Sequence, residues 1–413
     1  MAHAIRSIQD VVDWRLCMGC GACQYACPHH LVRLEDIVRE GLRPRVQGEC
    51  GECRVCLDVC PGLGVQSAWT QAESSPREAA RELGRPLEIW EGYAADAEIR
   101  FRASSGGALT ALCLYCLEQE AMSQVLHTAA DEKDPWRNRT VQSTTREELL
   151  ARSGSRYAPS SPCEGLAALE EAARPGVFVG KPCDAAAVAA LRKTRPALDR
   201  NLGLVLTFFC AGVPSTEGTL DLIHELGQLK AEVSQVRYRG RGWPGGFELR
   251  RADGVVSARL SYRASWAKLT SYRALRCKLC PDGMGELADV ACGDAWRHQD
   301  GTGANPGMSL LLVRTERGRE MVRRAVAAGY LVLRPVTDED AAASQPSLLQ
   351  KRRELYGRLA GLRALCIPVP RLEGFALRES WRELAWTRRW RTLAGTLQRA
   401  MRNGWWRRGG ERA

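Results

Sequence analysis

The chain has 413 residues, 45% of them hydrophobic, so it can bury a large core and has room for two or three domains. Its formal charge of +11 is concentrated: ten arginines stand against four glutamates from residue 372 onward, and without a recognisable binding module this argues against a nucleic-acid partner. Seventeen cysteines would point to an oxidised secreted scaffold only in a short chain, and MAHAIRSIQDVVDW has no apolar signal core, so a reducing cytoplasm is expected.

Residues 1–70 read as a ferredoxin-like unit. CMGCGACQYACP and CGECRVCLDVCP each carry C-x2-C-x2-C-x3-C followed by Pro, an internal repeat of 33 residues from Cys17 to Cys50. This run holds 4Fe-4S clusters in bacterial-type ferredoxins, where the last Cys of each run crosses to the other cluster. The expected sets are therefore Cys17, Cys20, Cys23 and Cys60, and Cys50, Cys53, Cys56 and Cys27. Zinc ligands come as pairs separated by a dozen or more residues, and a disulfide network has no reason to repeat one spacing twice.

Residues 71–87 are polar and helix-prone and read as a linker. A short strand then leads into Ser104, Ser105, Gly106 and Gly107, followed by Leu109, Leu112, Cys113 and Leu117 at helical spacing. Small residues at a helix start leave backbone N–H groups open to an anion, but the same turn is also an ordinary N-cap. Beyond it, VLHTAA, a helix near Glu147, VFVGKPCDAAAVAAL, LGLVLTFFCAG and a helix from Thr216 to Lys230 alternate. That alternation predicts a mixed α/β (α+β) domain. The longest apolar run, Leu202 to Val213, is too short to cross a bilayer and reads as a buried strand. Gly240, Gly242 and Gly245 match G-x-G-x-x-G, yet Trp243, Pro244 and Gly246 make a turn between strands. A dinucleotide fingerprint must open a helix, so the match is rejected.

A second set of cysteines follows: Cys183 in GKPCD and Cys210 in FFCAG, each after an apolar strand, with Cys277 and Cys280 in CKLCPD. Four ligands suffice for a further cluster or a zinc site, and buried structural thiols fit equally. Cys113 and Cys116 lie on an apolar helix face. Cys163, Cys292 and Cys366 lack comparable partners, and His127, His224 and His298 have no pairing visible in the sequence.

SSGGALTALCLYCLE, GKPCDAAAVAAL, FFCAGVPS, CKLCPDGMGELADVACGDAW and NPGMSLLLVRTERG resemble, in order, the beta subunit family of coenzyme F420 hydrogenase and formate dehydrogenase. That family also includes 7-hydroxymethyl chlorophyll a reductase and a ferredoxin-dependent divinyl chlorophyllide vinyl reductase. The resemblance covers about residues 88 to 335. It implies a catalytic domain over 88–371 that binds FAD and passes electrons between clusters and a substrate. It also implies a third 4Fe-4S cluster on Cys183, Cys210, Cys277 and Cys280, and a flavin site that includes Ser104, Ser105, Gly106 and Gly107. Lys181 is then the candidate catalytic residue, steadying an anionic reduced flavin or an acidic substrate, against the plainer role of a surface lysine in a turn. Asp294 and Asn305 are candidates to line the pocket, or simple turn residues. Ala211 stands where the family often has His, and Asp184 where Gln is usual. Coenzyme F420, a tetrapyrrole and a polysaccharide-pathway substrate therefore all remain open. So does a role as an electron-carrying subunit without a substrate of its own. The expected partners are ferredoxin or another redox subunit, a small molecule, or a second copy of the chain.

The tail, residues 372–413, places Trp386, Trp390, Leu393, Leu397 and Met401 on one face of a predicted helix with arginines elsewhere. Such a helix suits peripheral contact with the inner face of an anionic membrane, a partner, or the protein's own core.

Overall fold

The computed structural model describes residues 5–67, 78–299 and 306–409. In the N-terminal unit, the short helices Ile8–Asp13, Ala22–Ala26 and Val55–Asp58 alternate with the cysteine loops. Gly21 sits at φ +90° and a Cβ there would lie 2.7 Å from the Glu164 nitrogen, so only glycine permits both the turn and the close approach. Strands β1 (Val32–Ile37) and β2 (Gly41–Val46) form an antiparallel hairpin, and β3 (Gly64–Gln66) closes the unit.

The chain then builds β4 (Glu88–Ala94), β5 (Val125–Ala130), β6 (Asn138–Ser143), β7 (Gly176–Gly180) and β8 (Leu202–Phe208). A side sheet follows from β9 (Gln235–Arg237), β10 (Gly246–Arg250) and β11 (Val256–Ser261). Strands β12 (Val290–Asp294), β13 (Ser309–Val313) and β14 (Leu331–Pro335) return to the main sheet. Its order is β14-β4-β13-β12-β8-β7-β5-β6, with β5, β7, β8 and β12 running parallel and the outer pairs antiparallel. The mixed α/β class read from the alternation is the one observed. Every residue of β7 and β13 is buried, which is why both read as unbroken apolar runs.

The period of two along the strands assigns the two faces. Val177, Val179, Leu204 and Leu206 point toward the helices Ala108–Glu118 and Glu316–Ala327, whose Leu112, Leu114 and Val322 share that core. Phe178 and Val205 point the other way, onto Val188 and Leu191 of the helix Pro182–Arg192 and onto Cys20, Ala22 and Ala26 of the N-terminal unit. The ferredoxin-type unit is thus docked on one face of the sheet.

Two segments differ from the sequence-based expectation. Within the expected linker, residues 78–82 form a helix and Leu83 is fully buried; the Leu83 and Gly84 carbonyls accept from buried Arg314 at 2.7 and 2.9 Å. Residues 371–373 form β15 (Arg371–Glu373), parallel to β3, so the expected tail boundary falls inside a strand. The helix Trp386–Arg402 packs on the helix Leu355–Ala364 through Thr392, Thr396 and Ala400, close to Gly361. Its predicted apolar stripe turns partly outward: Trp386, Trp390 and Met401 are exposed, while Leu393 and Leu397 are half-buried. Arg388 bonds Glu354 at 2.7 Å and Arg408 bonds Asp13 at 2.8 Å, tying the tail to the body. Among the described residues no helix is long and apolar enough to cross a membrane.

Candidate redox site

The cysteine loops gather into groups that local spacing alone does not define. Cys17, Cys20, Cys23 and Cys60 line one cavity, together with Met18, Leu34, Pro44 and Gly62. Burial, reinforced by repulsion from Cys20 and Cys17, pushes the Cys60 thiol up to about 12. Cys56 is raised by burial and by the nearby Cys50, Cys53 and Cys27. Cys60 therefore keeps company with the first run and Cys27 with the second. Four thiols crowded in this way are stable as thiolates only beside a compensating cation, which is what a cluster's irons supply. Among the described residues no three such side chains converge on a single ion-sized point; a cubane instead asks for thiolates spread around a larger body.

The dispersed cysteines also come together. Cys183 lies in the first turn of the helix Pro182–Arg192, Cys210 follows β8, and Cys277 and Cys280 flank the end of the helix Leu275–Lys278. Burial, then Cys277 and Cys280, pushes Cys210 up to about 12, and Cys183 is raised by burial with Cys210 and Cys280 among its neighbours. Arg276 joins this group to the first one. It is almost fully buried and donates to the carbonyls of Pro61 at 2.7 Å, Gly62 at 3.4 Å and Leu279 at 3.0 Å.

Lys181 is neither on the surface nor free. It is 3% exposed, and its ammonium donates to Asp184 Oδ2 at 2.8 Å, Ser160 Oγ at 2.8 Å and the Ser160 carbonyl at 2.9 Å. Burial opposes its charge, but Asp184 more than restores it and holds the lysine firmly protonated. Asp184, the departure from the usual Gln, is thus the counter-ion. Cys163, expected to lack a partner, is fully buried; its N–H donates to the Cys20 carbonyl at 3.1 Å and its thiol lies 3.7 Å from the Asp184 carbonyl. Nothing in the spacing around Cys163 could have signalled this contact.

The Ser104–Gly107 turn opens the helix Ala108–Glu118 without a side-chain cap. Ser104 Oγ accepts from the Ser155 N–H at 2.8 Å, and Ser105 Oγ lies 3.1 Å from the Gly293 and Met308 carbonyls. A Cβ on Gly106 would stand 2.6 Å from the Gly92 oxygen and the Ser309 nitrogen, so this glycine is required by packing between β4 and β13. Asp294, at the end of β12, is neither a free pocket group nor a simple turn residue. It binds Arg239 at 2.9 and 2.7 Å and accepts from Trp243 Nε1 at 2.7 Å. Arg239 is in turn held under Tyr262 and Trp296. Asn305 lies outside the described residues. His127 and His298 are paired after all, with Ser143 at 2.8 Å and Glu91 at 2.9 Å.

Comparison with known proteins places this geometry. Residues 89–168 and 175–339 match the N-terminal and C-terminal models of the coenzyme F420 hydrogenase/dehydrogenase beta subunit, and residues 16–65 match a 4Fe-4S dicluster domain. The chain belongs to the coenzyme F420 hydrogenase/dehydrogenase beta subunit family. The coenzyme F420 hydrogenase subunit beta of Methanococcus voltae is 28% identical over 284 residues, covering 67% of this chain and 95% of that protein. Its counterpart in Methanothermobacter thermautotrophicus is 25% identical over 299 residues, covering 70% and 99%. The coenzyme F420-dependent sulfite reductase of Methanocaldococcus jannaschii is 24% identical over 335 residues, 76% of this chain but 46% of that protein. A chain in the F420-reducing [NiFe] hydrogenase complex from Methanosarcina barkeri shares the fold, with a TM-score of 0.50 at 23% identity over 67% of this chain and 94% of that one. The chain is therefore of an iron–sulfur oxidoreductase type.

Proposed function

We propose that the chain is an FAD- and 4Fe-4S-dependent oxidoreductase subunit, passing electrons between three clusters and a flavin that exchanges hydride with coenzyme F420 or a comparable carrier. What supports this reading is that Cys60 shares a cavity with Cys17, Cys20 and Cys23, that Cys27, Cys50 and Cys53 neighbour Cys56, and that Cys183, Cys277 and Cys280 lie near Cys210, with Arg276 bonded to the carbonyls beside Cys60 and Cys280. Cys17, Cys20, Cys23 and Cys60 would hold one cluster, Cys50, Cys53, Cys56 and Cys27 the second, and Cys183, Cys210, Cys277 and Cys280 the third. A bound flavin converts one-electron supply into two-electron hydride chemistry.

This chain's own groups do the rest. Past the Ala108 N–H, which donates to Ser309 Oγ at 3.5 Å, the helix start after Ser104–Gly107 would offer backbone N–H groups to a flavin phosphate, while Ser105 anchors the turn to β12 and β13. The Lys181–Asp184 pair, within electrostatic reach of Cys183, would present a fixed dipole to charge gathered there. The buried lining around Cys60 and Cys20 keeps water from the cysteine sulfurs.

A second reading, an electron-carrying subunit without its own substrate, is favoured by the multi-subunit complex in which the Methanosarcina barkeri chain resides. The exposed Trp386, Trp390 and Met401 beside an arginine-rich helix face suit either a partner subunit or an anionic lipid surface. Anaerobic purification with iron, sulfide and flavin analysis tests the main reading: about twelve irons and one FAD are expected, and about eight irons would confine clusters to the N-terminal unit. Bleaching with F420H2, NAD(P)H or reduced ferredoxin then identifies the donor. Reduction of the flavin without turnover unless a second subunit is added would select the second reading.

A further inference from the structure

Between Cys20 in the N-terminal unit and Cys183 in the family domain stand the buried Cys163 and Asp184. The Cys163 N–H donates to the Cys20 carbonyl at 3.1 Å, and the Cys163 side chain also engages that of Cys20. On its far side the Cys163 thiol lies 3.7 Å from the carbonyl of Asp184, the residue bonded to Cys183. Cys163 and Asp184 are fully buried. Lys181 closes the flank, its ammonium divided between Ser160 and Asp184. The buried ion pair has no net charge, so an electron arriving on either side meets oriented dipoles that need not reorganise.

We propose that Cys163, held between the Cys20 and Asp184 carbonyls, is the bridge for electron transfer between the cluster that Cys20 would hold and the cluster that Cys183 would hold, and that its thiol tunes the first of these. The inference rests on the ligand assignment proposed above. In the step, one cluster is oxidised by one electron and the other reduced by one; no bond breaks, no proton leaves, and the Cys163 thiol is neither ligand nor reactant. It is a positioning residue. The Cys163 side chain packs in the same buried cluster as Cys20 and sets the polarity beside that ligand, and polarity just outside the ligands tunes a cluster's potential.

The test uses the full chain, purified anaerobically, as parent, Cys163→Ala and Cys163→Ser. Iron content and thermal unfolding are measured first, then midpoint potentials by EPR-monitored titration, then inter-cluster transfer by rapid-freeze EPR after mixing with dithionite. The alanine variant is expected to keep its iron. One cluster should become about tenfold harder to reduce at fixed potential, about 59 mV for one electron. Inter-cluster transfer should slow at least tenfold, and serine should restore part of both effects. An alanine variant with full iron, unmoved potentials and an unchanged transfer rate overturns the bridge while leaving the ligand assignment intact. Loss of about four irons would make Cys163 a ligand and also overturns it. A parent protein with only about eight irons defeats the ligand assignment itself, and the bridge with it.

Discussion

Asp294→Ala strips the buried Arg239 guanidinium of its carboxylate partner. Arg239 is 3% exposed and places two of its nitrogens on Asp294 at 2.9 and 2.7 Å, with further polar contacts to the Pro244 carbonyl at 3.1 Å and to Tyr157. Burial works against the guanidinium charge, and the Asp294 carboxylate is what keeps it firmly ionised. Removing that carboxylate leaves a desolvated cation beside the Tyr262 and Trp296 rings and strips Trp243 Nε1 of its acceptor. Breaking one partner of such a pair costs about 3–5 kcal/mol, a large share of the roughly 5–15 kcal/mol that holds a typical domain folded. Urea unfolding followed by tryptophan fluorescence reads the loss directly, since Trp243 and Trp296 stack at 5.3 Å in the same site. Replacing both partners, Arg239→Met with Asp294→Leu, should recover most of the loss, because no charge is then stranded. A single variant within about 1 kcal/mol of the parent would refute the claim that the pair is buried and mutually dependent.

Gly106→Ala drives a Cβ to 2.6 Å from two backbone atoms that cannot move independently of the sheet, so a loss of about 1–3 kcal/mol in thermal unfolding is expected; an unchanged transition would contradict the packing. Burial, with Arg152 nearby, lowers the His127 pKa to about 4, below its unfolded value. The unfolded chain therefore binds the extra proton first, and stability should fall as pH drops from about 6.5 toward 4, by up to about 3 kcal/mol; His127→Gln should flatten that limb of the urea-midpoint profile. Arg276→Met orphans the Pro61 and Gly62 carbonyls at about 1–3 kcal/mol each, and hydrogen exchange should accelerate in residues 59–66 and 275–280 while β7 and β8 stay protected. Trp386→Gln with Trp390→Gln touches only exposed side chains; stability should hold within about 0.5 kcal/mol, and co-sedimentation with anionic vesicles should fall if the tail contacts lipid.

The parts of this protein legible in its sequence are those that neighbours along the chain decide. The Cys17 and Cys50 runs announce their chemistry because a loop coiling round a cluster needs two residues between ligands, a requirement met within a dozen positions. The buried strands β7 and β8 and the turn between Gly240 and Gly246 follow likewise from apolar runs and turn residues. Tertiary structure alone decided which side chains are spent on one another. In sequence Lys181 stays open between a role beside the flavin and a surface lysine, because its strand-to-helix turn is an exposed kind of place; in the fold it is 3% exposed, and Asp184 with Ser160 makes the burial tolerable. Asp294 and Arg239 are separated by 55 residues, and their pairing is created by the side sheet folding against the end of β12. Cys163 carries no motif, and its meaning comes from Cys20 and Asp184 arriving on either side. The tail helix kept its predicted periodicity, yet the small residues Thr392, Thr396 and Ala400 won the inward face, since close approach to Gly361 admits no indole. Chain spacing thus determined where metal would be held, while long-range packing decided how those sites are joined and which charges stand between them.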